Sequence, residues 1–129
     1  MTAIEAREIA GKIDLSIRSH PWMDFEVHYL DNRILEICGG IDLLQAPDIK
    51  IRMHEVFLIN SPFEWKTDTS SIVFQSVEGE EFRRYNLAYK VEQGNYLFKF
   101  TPEDYPEDFF CYFAARAISF EFPRGQASV

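Results

Sequence analysis

Asp24, Glu26 and His28 have the residue types and the spacing to gather a metal ion or a proton. They alternate with Phe25, Val27 and Tyr29, so in an extended segment two carboxylates and an imidazole project to one face. A fourth ligand is available from His54 or Glu55, where the alternation of a later segment slips. The same residue types also make the wet face of a half-buried strand. Since no other stretch has ligand spacing, no metal is assigned, the three residues stand only as candidates for one, and no cofactor is expected. Nucleophilic chemistry has less to build on. No serine sits in a Gly-x-Ser-x-Gly turn, no glycine-rich phosphate loop exists, and Cys38 and Cys111 stand among apolar neighbours with nothing beside them to activate a thiol. Both cysteines read as small core residues, and the chain reads as a non-enzyme.

A contact surface is better supported. Glu103, Asp104, Glu107 and Asp108 surround Tyr105 between Pro102 and Pro106, a surface loop in which carboxylates ring one aromatic anchor. Such a surface steers a basic partner toward a side chain it can bury. Phe63 and Trp65, in a polar stretch after Pro62, make a second patch that either folds back as a lid or stays exposed for contact. The formal net charge of -8, from 13 basic and 21 acidic residues, disfavours a nucleic-acid partner and an anionic membrane surface while permitting a basic protein. The start of the chain lacks the basic residues and apolar run of a secretion signal, and no stretch reaches membrane-spanning length. The expectation is a cytoplasmic protein with two reduced thiols. Self-association through an uncovered sheet face stays open.

These residues need elements to hold them. At 129 residues, 47% hydrophobic and 26% charged, the chain suits one domain, residues 1–129, with a dry core. Twelve Phe, six Tyr and two Trp favour strands. Thr2-Ala3-Ile4-Glu5 has capping-box spacing and predicts a short N-terminal helix within residues 1–11, followed past Gly11 by a strand in which Ile13, Leu15 and Ile17 alternate. Phe25 to Tyr29 and Ile34 to Cys38 predict a hairpin turning at Asp31-Asn32 and broken off by Gly39-Gly40. Ile49, Ile51 and Met53 alternate, then Val56 and Leu58 take the opposite phase. That slip predicts one long strand bent by a bulge near His54-Glu55.

Further on, Ile72 to Val77 predicts a strand and Glu78-Gly79-Glu80 a turn. Tyr85, Leu87, Tyr89 and Val91, then Tyr96, Phe98 and Phe100 across Gln93-Gly94-Asn95, predict a second hairpin. Phe109 to Phe122 is apolar on both faces, as a doubly buried strand is, and residues 123–129 read as a frayed tail. The fold class expected is mainly β: an antiparallel β-sandwich or partly open barrel of about eight strands behind the short helix.

Met23-Asp24-Phe25-Glu26-Val27, the slipped strand Ile49 to Val56, and Ala114-Ala115-Arg116-Ala117-Ile118-Ser119-Phe120-Glu121 together resemble small all-β bacterial proteins, some of them immunity proteins of contact-delivered toxin systems. The resemblance spans Trp22 to Phe122. It implies a cytoplasmic, non-enzymatic β-sandwich that occludes another protein. The expected function is therefore protein binding through Glu103 to Asp108 and Phe63 to Trp65. The alternative is a small barrel that holds an apolar ligand in a cavity lined by Tyr89, Phe98 and Phe113.

Overall fold

The computed structural model describes residues 1–125. Helix α1, Ala3–Arg18, is capped by Thr2, whose Oγ1 accepts the Glu5 N–H while the Glu5 carboxylate accepts the Thr2 N–H. The helix runs on through Gly11, and the strand expected over Ile13 to Ile17 does not form. Ala6, Ala10, Ile13 and Ile17 make one buried stripe, whereas Leu15, which the alternation needed inside, is 70% exposed. A stripe about three turns long outweighs one glycine, which costs a helix about 1 kcal/mol.

Seven antiparallel strands form a single curled sheet, a half-barrel, in the order β4-β1-β2-β3-β7-β6-β5. The strands are β1 Met23–Asp31, β2 Ile34–Gly40, β3 Ile49–Asn60, β4 Glu64–Thr67, β5 Phe74–Val77, β6 Tyr96–Phe100 and β7 Cys111–Glu121. Among the described residues there is no second sheet, so the sandwich is not found and about eight strands become seven. The part of the tail beyond residue 125 lies outside the described residues.

The β1–β2 turn falls one residue later than expected, on Asn32 and Arg33, with φ of 51° and 62°. Two left-handed residues in succession give the tight turn whose twist matches that of the strands. Gly39 and Gly40 do not break β2 but belong to it. Phe25 lies opposite Gly39, and a Cβ there would overlap its ring. Strand β3 bends as its pattern predicted: Glu55 takes φ 51° and the pairing with β7 shifts between Val56 and Leu58.

The predicted hairpin from Tyr85 to Phe100 is half right. Its second arm is β6, but its first arm is helix α2, Gly79–Tyr89, which also absorbs the turn expected at Glu78-Gly79-Glu80. Tyr85, Leu87 and Tyr89 alternate too briefly to distinguish a strand from a helix. The sheet decides between them. Val77, Leu97 and Ala114 form a second apolar cluster, and Phe82 and Tyr85, one turn apart on α2, cover it. Leu87 is left 77% exposed, and Lys90 ends the helix with φ 52°.

The main core fills the face of the sheet that packs with α1. Phe100 stands at its centre, with ring centroids 4.6 Å from Phe74, 4.8 Å from Phe25 and 5.0 Å from Trp65. Helix α1 is tied to the start of β5 by Asp14, whose buried Oδ1 accepts the N–H groups of Val73 at 2.7 Å and Phe74 at 3.0 Å. The chain leaving β6 then crosses to the other end of the sheet. Thr101 N–H donates to the Val73 carbonyl and Glu103 N–H to the Lys66 carbonyl, each at 2.8 Å. Among the described residues, no helix is long and apolar enough to cross a membrane.

Candidate functional site

That crossing builds the site. Strand β1 contributes Asp24 and Phe25, edge strand β4 contributes Glu64, Trp65 and Lys66, the β2–β3 connection contributes Leu43, and the segment after β6 contributes Glu103, Asp104 and Tyr105. They line a cleft of about 360 Å³. Four carboxylates face one ammonium there, so the cleft carries a net negative field that low-dielectric walls strengthen. Asp104 holds φ 68°, a conformation aspartate tolerates better than most residues. Tyr105 stacks on Phe109 with centroids 4.4 Å apart, which fixes one aromatic wall. Trp65 makes the floor. It is 4% exposed, and its Nε1–H has no acceptor in the protein. A buried donor without a partner costs roughly 1–3 kcal/mol.

The sequence-derived contact residues therefore divide. Glu103, Asp104, Tyr105 and Trp65 meet in one place, with Asp24 and Glu64 added. Glu107 and Asp108 lie on the same loop but do not line the cleft, and neither does Phe63, which is 66% exposed. Trp65 is not in a loop but on β4, paired with Phe25 and buried. Glu64 and Leu43 carry no sequence signal of their own, because only the curl of the sheet brings them to the loop.

No family model, curated protein or solved structure matches the chain. The chemistry is accordingly read from the side chains themselves.

Asp24, Glu26 and His28 do not converge. Asp24 faces the cleft, Glu26 lies opposite Cys38, and His28 sits in a bulge where the β1–β2 pairing shifts between Val27 and Tyr29. The bulge turns His28 onto β2, where Nδ1 lies 2.5 Å from Glu36 Oε2. Arg52 Nε donates to the other oxygen, Oε1, at 2.9 Å, and Arg52 Nη2 donates to Glu121. Burial opposes ionisation of the Glu36 carboxyl, but the hydrogen bond from His28 and the charges of Lys50 and Arg52 outweigh it and hold the group below its ordinary value. Of the suggested fourth ligands, His54 bonds Ser119 and Glu55 faces Arg116.

The two cysteines are free and buried. Cys111 belongs to the main core as expected. Cys38 instead shares the polar face of β2 with Glu36, and burial together with the Glu36 charge pushes its thiol up to about 11. The three aromatics named for an apolar cavity do not line one. Phe98 and Phe113 are fully buried in the core, and Tyr89 is on α2 across the sheet. An apolar crevice of about 280 Å³ does exist between the starts of α1 and α2, lined by Ala6, Val77, Phe82 and Leu97 among others.

Proposed function

We propose that the protein is a non-catalytic binding module, of the immunity type its sequence resembles, whose acidic cleft receives a basic segment of a protein partner. One observation carries this reading: Trp65, Tyr105, Asp24, Glu64, Glu103 and Asp104 line a single cleft, although they come from three separate parts of the chain. A lysine or arginine side chain entering there gains four carboxylates and the face of Tyr105, a favourable surface for a cation. Aromatic walls supply the buried anchor around which such interfaces concentrate their affinity.

Sorting a randomised peptide library against the protein tests the reading. Retained sequences should be enriched in Lys and Arg, and Tyr105→Ala combined with Asp104→Lys should weaken their binding at least about tenfold with little change in melting temperature. Glu107→Lys combined with Asp108→Lys alters the net charge more but lies outside the cleft, so it should weaken binding less. Equal losses in the two double variants would reduce the attraction to bulk charge and overturn the assignment of the cleft.

A further inference from the structure

We propose that His28, Glu36 and Cys38 form a binding site for a borderline-soft divalent cation, Zn²⁺ being the type. One ligand atom from each residue lies within 4.8 Å of the other two. The set is an imidazole nitrogen, a carboxylate oxygen and a sulfur, the mixture that tetrahedral zinc accepts and that calcium or magnesium does not favour.

Three features of the fold assemble it. Glu36 and Cys38 are two apart on β2 and so share a face, while Ile37 between them belongs to the core. The β1 bulge inserts an extra residue at His28 and aims the imidazole at Glu36. Arg52 holds only Oε1 of Glu36 and is itself anchored on Glu121, which leaves Oε2 turned toward His28. An oriented carboxylate of this kind is what an outer layer of hydrogen bonds supplies at metal sites. Glu36 and Cys38 are buried, whereas the His28 side chain is about half exposed, so a cation enters from the His28 side and keeps water in its remaining position.

Binding exchanges protons for the metal. The cation takes the place of the hydrogen bond between His28 Nδ1 and Glu36 Oε2, the imidazole ligates through Nδ1 as the neutral tautomer with its proton on Nε2, and the Cys38 thiol, with any other proton displaced at the site, gives its proton to solvent as the sulfur–metal bond forms.

Cobalt reports on this site because a thiolate–cobalt bond absorbs in the near ultraviolet. Titrating the metal-free protein with Co²⁺ should produce that charge-transfer band, saturating at one ion per chain, and Zn²⁺ should remove it by displacement. Cys38→Ser should abolish the band, His28→Ala should weaken Co²⁺ binding at least about tenfold, and Cys111→Ser should leave both unchanged. His28 is exposed, so its replacement does not endanger folding and decides the matter even if Cys38→Ser is unstable. Absence of a band in the folded wild type, or a band that survives His28→Ala undiminished, overturns the site and leaves the three residues as a hydrogen-bond network alone.

Discussion

Asp14 does structural work out of proportion to its size. It projects from α1 into the body of the protein, and a single oxygen accepts two backbone N–H groups at the head of β5. Both donors are buried, so Asp14→Ala should cost about 3 kcal/mol in urea unfolding. Asp14→Asn, which retains the acceptor, should recover more than half of that, and an alanine variant within about 0.5 kcal/mol of wild type would show the bonds to be dispensable. Cys111 makes a different kind of test. Burial raises its thiol from 9.0 to about 12, so the folded state keeps the proton that the unfolded chain releases. Its contribution is complete below pH 9 and is lost as pH rises from 9 toward 12. Unfolding free energy should fall over that interval less steeply in Cys111→Ala than in wild type, even though the variant starts lower. Parallel profiles would contradict a neutral buried thiol.

Each of the two helices settles a conflict between two periodicities. In α1 the four-residue stripe wins because its whole apolar face meets the sheet, and Gly11 is carried along on the solvent side with nothing within 4 Å of where a Cβ would be. Gly11→Ala should therefore raise stability by about 0.5–1 kcal/mol, seen as a melting temperature a few degrees higher. Gly39→Ala should do the opposite and cost about 1–3 kcal/mol, because the Phe25 ring occupies the space and must leave its packed position. Calorimetry of the pair tests one idea from both sides: the glycine that resembled a helix stop is incidental, and the glycine that resembled a strand break is required by the strand's neighbour. In α2 the short alternation of Tyr85, Leu87 and Tyr89 was compatible with either structure. The apolar patch of Val77, Leu97 and Ala114 on the far face of the sheet made the helix the better cover.

For the molecule as a whole, the curl of the sheet matters more than the number of strands. It brings edge strand β4 to the segment that leaves β6, and the cleft exists only where they meet. A cleft ringed by carboxylates on a chain of net charge -8 should act at a distance as well as in contact. Association of a Lys- or Arg-bearing peptide selected on the protein should therefore slow as salt shortens the Debye length toward about 8 Å at physiological ionic strength, with dissociation much less affected. Stopped-flow mixing reads both rates, and a salt-independent association rate would remove the steering.

The sequence by itself determined the mainly β character, the β1–β2 hairpin, the bend in β3, the capped start of α1 and the exposed acidic loop, since each rests on neighbours within a few residues. Tertiary structure alone decided that Trp65 is a buried floor, that Glu64 and Asp24 join Glu103 and Asp104, and that His28 faces Glu36 and Cys38 and not Asp24. These are contacts between strands, set by register, bulge and curl, and a one-residue shift of register would turn each of those side chains to the opposite face.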